Sequence, residues 1–166
     1  MVSPQLTEQA HITIQLCIDL ANSYFAKDLP VPTLNYKLRG KTAGKAYMHL
    51  NEVRLNPVLF NENTHAFLDQ VIPHEVAHLV TYQVFGRVKP HGPEWQAVMS
   101  KVFQVTPETT HRFSIASVQG KTFEYQCACQ THQISIRRHN RITRGQAVYR
   151  CQSCHQEIRF TGKQLT

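Results

Sequence analysis

Long hydrophobic runs are missing from this 166-residue chain: no uninterrupted apolar stretch exceeds a few residues, whereas a membrane-spanning helix needs about 20. The first residues, Met1-Val2-Ser3-Pro4-Gln5, lack the basic-then-apolar order of a secretory signal. A cytoplasmic protein with no membrane partner is therefore expected. Low-complexity tracts are also absent, which argues against a disordered tail. Acidic residues are scarce where basic ones concentrate. Residues 121–166 carry eight Lys/Arg against only Glu124 and Glu157, while residues 1–120 carry ten Lys/Arg against nine Asp/Glu. Six of the seven net positive charges thus lie in the last 46 positions. That asymmetry points to a polyanionic partner for the C-terminal segment, with nucleoid association if the partner is DNA.

What is present suits one ordinary domain with a small appendage, since 42% hydrophobic content is enough for a core. The expected division is a core over residues 1–120 and a basic subdomain over 121–166. Four of the five cysteines, Cys127, Cys129, Cys151 and Cys154, fall in the basic segment. Without a secretion signal, clustered cysteines point to metal rather than disulfides. Cys17 stands apart in an apolar-periodic stretch and reads as a small buried hydrophobe.

The densest signal is His74-Glu75-Val76-Ala77-His78. On a helix, residues four apart share a face, so both imidazoles reach one metal ion with Glu75 beside it. Two nitrogen ligands and an adjacent carboxylate base suit zinc-assisted hydrolysis. Catalytic zinc takes three protein ligands. The extended pattern that would supply the third is absent, because Thr81 and Val84 stand at its Gly and His positions. His91, thirteen residues after His78 and across a Gly86-containing turn, is the preferred third ligand. Glu94 is the competitor. Tyr82, His111 and Arg112 are candidates for stabilising an oxyanion.

Around this motif the coarse pattern is mixed. Apolar residues at Ile12, Leu16, Leu20 and Tyr24 predict an amphipathic helix over 6–26. Leu34-Asn35-Tyr36, Ala46–Leu50 and Glu52–Leu55 read as strands, the last two joined by a turn near Asn51. A second helix is expected over 64–85, kinked or restarted at Pro73, and a third from Pro93 to about Val102. In the basic segment, Phe123–Cys127 and Ala147–Cys151 each place an aromatic residue two before a cysteine, as strands entering metal-binding turns do. Cys151-x-x-Cys154 has knuckle spacing. Its partner half-site is either Cys127 with Cys129, or includes His132, which has the usual two-residue gap from Cys129. Arg137, Arg138, Arg141 and Arg144 are expected on a strand-turn-strand arm that tracks a phosphate backbone without reading sequence.

The chain resembles the bacterial SprT proteins, relatives of the protease domain of eukaryotic Spartan. The resemblance rests on Val71–His78, on Phe85-Gly86-Arg87 through His91-Gly92-Pro93-Glu94-Trp95, on Arg54-Leu55-Asn56-Pro57, and on Tyr125–Cys129 with Tyr149-Arg150-Cys151. It implies an α+β fold: a zincin-like metalloprotease core, with helices packed on a small antiparallel sheet, followed by a zinc-ribbon subdomain. It implies His74, His78 and His91 as ligands of a catalytic zinc, Glu75 as catalyst, and a second, structural zinc. It further implies DNA as a partner and cleavage of proteins bound or crosslinked to DNA, by a protein expected to be monomeric. The alternative class is a catalytically inactive nucleic-acid-binding ribbon on a protease-like scaffold. A deformylase is disfavoured, because its upstream cysteine ligand would have to be Cys17, inside a predicted helix.

Overall fold

Helix α1 (Pro4–Phe25) starts where the Ser3 hydroxyl accepts a hydrogen bond from the Leu6 N–H at 3.1 Å and Pro4 takes the first turn. Its buried face is Ala10, Ile14, Cys17, Ile18 and Ala21. The row Ile12, Leu16, Leu20 and Tyr24, expected to define the amphipathic stripe, instead faces outward at 46–57% exposure. Three of the five inward positions are small residues, so the true inner face does not stand out by hydrophobicity. The computed structural model describes residues 1–166, and they form two units, Met1–Val118 and Gln119–Thr166. No helix is long and apolar enough to cross a membrane.

In the first unit, β1 (Thr33–Asn35), β2 (Gly44–Tyr47) and β3 (Glu52–Leu55) form a sheet of order β1-β3-β2. The β2–β3 pairing is antiparallel, with Gly44 opposite Leu55 and Tyr47 opposite Glu52. The β1–β3 pairing is parallel, so the sheet is mixed rather than purely antiparallel. Met48–Leu50, expected to continue β2, coil into a 3-10 turn that ends on Asn51 at φ 46°. Asn56 then caps α2 (Pro57–Glu62), accepting from the N–H groups of Val58 and Leu59. Its amide also donates to the carbonyls of Gly40 (2.7 Å) and Thr42 (3.3 Å), fixing the loop that leads into β2.

From Thr64 to Phe85 the chain stays helical, as α3 (Thr64–Ala66), a π turn over Phe67–Val71, and α4 (Ile72–Phe85). The π turn sits just before Pro73. A proline nitrogen cannot donate to a carbonyl one turn back, so local widening of the helix absorbs the defect without ending it. Helix α5 (Pro93–Ala97) runs into a second π turn, Val98–Val102. One core joins α1, the sheet and α4 through Ile14, Val53, Phe60, Phe67, Val76, Val80, Trp95 and Met99, all at most 1% exposed.

The second unit is a sheet of order β5-β4-β6, made of β4 (Thr122–Gln126), β5 (Thr131–Ser135) and β6 (Arg159–Gln164). Two expectations fail here. The third strand is the C-terminal segment, whereas Ala147–Cys151 contributes only a single bridge, Arg150 with Glu157. The arginine arm is a helix, α6 (Ile136–Thr143), rather than strand-turn-strand. Ile136, His139 and Ile142, spaced by three, turn to one side of this helix. His139 stacks on Phe123 at 3.7 Å between ring centroids and bonds the Tyr125 hydroxyl at 3.0 Å. Packing of that side against the sheet outweighs the weak local preference.

Candidate metal centres

The first centre is built on α4. His74 and His78 lie one turn apart, and the turn before α5 brings His91 to them. The three Nε2 atoms stand 3.0–3.2 Å from one another. His91 adopts φ 56°, a left-handed conformation unfavourable for a non-glycine residue, which the Lys89–Gly92 turn enforces. His74 Nδ1 donates to the Glu108 carbonyl at 3.1 Å, which leaves its Nε2 as a lone pair aimed at the other two rings. Trp95 packs against all three imidazoles, at 4.7–5.6 Å between ring centroids, and its Nε1 donates to the His74 carbonyl at 3.3 Å. Burial, reinforced by the His91 charge, lowers His74 to about 4. Burial and the His74 and His91 charges lower His78 to about 3. Nitrogen lone pairs converging this closely repel one another unless a cation lies between them. Zinc bonded at about 2.0–2.1 Å to each would fit this spacing. Glu94 stays outside the cluster, which contains His74, His78 and His91.

Glu75 is 6% exposed, and burial pushes its carboxyl up to about 7, against the opposing effects of the Ala46 N–H and the Lys45 charge. It meets β2 at Gly44. A Cβ there would stand 2.8 Å from Glu75 Cγ, 2.9 Å from its Oε1 and 2.9 Å from Val71 Cγ1. Gly44→Ala is therefore expected to displace the carboxylate and to lower stability by about 1–3 kcal/mol through overpacking. Denaturant unfolding measures this, and zinc content should be unchanged because no imidazole moves. The centre opens into a cleft of about 930 Å³, lined by β2, the Met48–Leu50 turn, α4 and the 86–91 loop. Tyr82 lines this cleft, with its hydroxyl 3.5 Å from His49 Nδ1. His111 sits 6.0 Å from the His74 ring, and Arg112 is exposed. Gly44, Trp95 and the Glu108 carbonyl were not singled out from sequence. A single glycine opening a strand carries too weak a pattern to find the first, and the carbonyl has no sequence signal.

In the second unit Cys127, Cys129, Cys151 and Cys154 bring their sulfurs within 4.8 Å of one another. His132 Nε2 lies 3.2 Å from Cys127 Sγ, at the edge of this set. Two tight turns deliver the thiols, closed by Cys127 N–H to the Gln130 carbonyl and Cys151 N–H to the Gln156 carbonyl. Backbone N–H groups of Cys154 and Ser153 pull the Cys151 thiol down to about 5, while the neighbouring thiols Cys127, Cys154 and Cys151 push Cys129 up to about 12. Four thiols this close lose all their protons only if a cation compensates the charge, which suits zinc. Arg137, Arg138 and Arg141 share a hollow of about 440 Å³ with Ser135 and Tyr149, and the Arg138 guanidinium lies 5.6 Å from the Tyr149 ring centre. Arg144, past the end of α6, does not line it.

An α+β unit with three imidazoles converging from a helix and a loop, followed by a four-cysteine ribbon, is the class of protein that the fold and sites define. The SprT-like family model matches residues 14–117, and the SprT-like zinc ribbon domain model matches residues 121–162, so the chain belongs to the SprT-like family. It is 56% identical over 162 residues to Protein SprT of Vibrio parahaemolyticus, covering 98% of both chains. It is 60% identical over 150 residues to Protein SprT of Vibrio atlanticus (90% of both) and 47% identical over 167 residues to that of Pectobacterium carotovorum (98% of both). No solved structure matches.

Proposed function

We propose that this protein is a zinc-dependent peptidase that cleaves proteins bound or crosslinked to DNA, with its ribbon unit supplying the DNA contact. One observation carries the reading: a buried carboxyl, Glu75, is held beside three imidazole nitrogens converged to 3.0–3.2 Å at an open cleft. His74, His78 and His91 would hold the catalytic zinc, and the four cysteines a structural one. Zinc at the first centre supplies Lewis acidity, which makes water a usable nucleophile at neutral pH and polarises a carbonyl. Glu75 takes the proton from that water on its carboxylate and returns it to the leaving amine nitrogen. The Ala46 N–H and the lack of a side chain at Gly44 hold the carboxylate in position for both transfers. Trp95 and the Glu108 carbonyl keep the imidazoles oriented.

On the ribbon, three cations around an aromatic ring suit a flexible strand, whose phosphates meet Arg137, Arg138 and Arg141 while an unstacked base meets Tyr149. Single-stranded DNA is accordingly the expected activator, bound without sequence preference. The test is a gel assay on a DNA-binding protein with and without single-stranded DNA, in zinc-replete buffer. Cleavage only in the presence of DNA supports the reading, and no cleavage of any protein under any condition leaves the inactive nucleic-acid-binding scaffold. Changing Arg137, Arg138 and Arg141 together to Gln is expected to reduce the slope of log affinity against log salt by about 2 units, since each phosphate contact on a single strand contributes about 0.7. Fluorescence anisotropy across a salt series measures it.

A further inference from the structure

The near-neutral balance of residues 1–120 hides a separation of charge. Seven of their ten Lys/Arg fall in residues 37–54 and 87–89, where Glu52 is the only acid. The fold brings these two stretches to one place. Lys45 belongs to β2, Arg87 and Lys89 to the loop that follows α4, and all three line the cleft. All three are exposed, whereas Glu75, the only acid lining the cleft, is 6% exposed. On the same strand Tyr47 gathers two cations, with the Lys45 ammonium 5.1 Å and the Arg54 guanidinium 3.9 Å from its ring centre. Glu52 pairs with Arg54, but Lys45, Arg87 and Lys89 have no acidic partner. Lys41 adds an exposed ammonium at this end of the sheet, at most about 14 Å of extended chain before Lys45. The Asn56 amide fixes the carbonyls on either side of it, Gly40 and Thr42. Unpaired like charges around a concave surface focus a field that a polyanion relieves.

We propose that the first unit carries a nucleic-acid contact of its own at the mouth of the cleft, where Lys45, Arg87 and Lys89 take phosphates of a DNA backbone. This contact is separate from the arginines of the ribbon. Phosphate suits these groups better than the carboxylates of an acidic polypeptide do. An ammonium is a point charge that serves phosphate well, whereas the guanidinium fork is what matches a carboxylate, and Arg54 already has one in Glu52. A duplex carries one charge per about 1.7 Å of axis, so cations supplied by separate elements each meet a phosphate. Tyr47 is engaged by Lys45 and Arg54, which leaves it no role as a base platform. The contact is therefore to the backbone alone, and duplex should bind at least as tightly as single-stranded DNA, unlike at the ribbon. The use of this contact rests on the peptidase reading: a strand across the mouth holds an attached polypeptide beside Glu75. The binding itself does not rest on it.

The experiment uses zinc-loaded full-length protein with Arg137, Arg138 and Arg141 changed to Gln, so that the ribbon contact is weakened. Fluorescence anisotropy across a salt series gives Kd for short labelled duplex and single-stranded DNA. Adding Lys45→Gln with Lys89→Gln, one lysine from each element, is expected to weaken duplex binding at low salt by about tenfold. The slope of log affinity against log salt should fall by about 2 units, since each phosphate contact on a duplex contributes about 0.9. Lys27→Gln with Lys101→Gln is the charge-matched control: both lysines are exposed and neither lines the cleft. It should leave Kd within about twofold, and Lys45→Arg with Lys89→Arg should retain binding. Equal effects of the two Gln pairs mean that net charge alone is felt, and overturn the proposal. No DNA binding in the ribbon-weakened background overturns it too, as does a marked preference there for single-stranded over duplex DNA. Oligoglutamate that displaces the duplex at equal charge concentration makes the surface a seat for acidic polypeptide, and that also overturns it. Duplex binding that depends on Lys45 and Lys89, with no cleavage of any DNA-bound protein, leaves the contact standing and removes the peptidase reading.

Discussion

Glu75→Gln is expected to lower kcat/KM on a DNA-bound protein by about a thousandfold, within the range that a positioned general base contributes. Zinc content should stay at the wild-type value. The two results belong together because glutamine fills the same buried space, can accept the Ala46 N–H through its amide oxygen, and leaves His74, His78 and His91 unchanged. What it cannot do is carry a proton between water and the leaving amine. Undiminished cleavage by Glu75→Gln protein would remove the mechanism, whereas loss of zinc along with activity would mean that the carboxyl acts on the metal centre rather than on the proton.

Stability offers a second reading of the same substitution. A carboxyl whose folded value, about 7, exceeds its ordinary 4.5 destabilises the fold progressively as pH rises from 4.5 through 7, because the unfolded chain ionises first. Across that window the penalty grows to about 3 kcal/mol, at about 1.4 kcal/mol per unit of difference. Glutamine does not ionise. In zinc-stripped protein, Glu75→Gln is therefore expected to be neutral below pH 4.5 and stabilising at pH 8, as read by the unfolding of residues 1–118. On the peptidase reading, the buried carboxylate is a cost the fold carries for chemistry, the usual relation between a functional group and its scaffold.

The imidazole cluster of the first unit was legible because it depends on one local regularity: residues four apart on a helix share a face, which puts His74 and His78 together. His91 could be chosen over Glu94 from the length of chain across Gly86, a distance argument that needs no tertiary detail. Gly44, Trp95 and the Glu108 carbonyl lay beyond reach because each matters through close approach of elements far apart in sequence. The outward row on α1 was misread for a related reason. Ala10, Cys17 and Ala21 bury completely or nearly so yet contribute little hydrophobic signal, so the larger Ile12, Leu16 and Leu20 dominated the pattern. In the ribbon, the repeated aromatic-x-Cys pattern suggested two equivalent strands. The third strand is set instead by antiparallel pairing of Arg159–Gln164 with β4, where a register shift between Phe123 and Tyr125 breaks simple alternation. Helix α6 escaped because its determinant is His139 against Phe123 and Tyr125, a contact made only after the sheet has formed.

Cys151→Ser, or removal of zinc by a strong chelator, is expected to unfold the 48-residue second unit and lower affinity for single-stranded DNA by about a hundredfold. A unit this small buries too little apolar surface to be stable without a staple. Its core consists of Phe123, Tyr125, Cys127, Ile134, Cys151 and Ile158, so two of its six members are themselves thiols of the four-cysteine cluster. Structural zinc contributes about 10–16 kcal/mol in small domains, far more than four buried side chains supply against chain entropy. Losing the metal takes away the closure of both cysteine turns, then the β4–β5–β6 sheet, and with it the surface against which His139 orients α6. The three arginines remain in the chain but no longer surround Tyr149, so binding falls to that of a flexible basic segment. Limited proteolysis should digest residues 119–166 while residues 1–118 resist, and elemental analysis of Cys151→Ser should fall from two zinc ions per chain to one. His78→Gln should also leave one zinc ion, yet keep the second unit folded and DNA affinity intact. If Cys151→Ser retains both the proteolytic resistance of the second unit and full DNA binding, the cysteine cluster is not what holds that surface together.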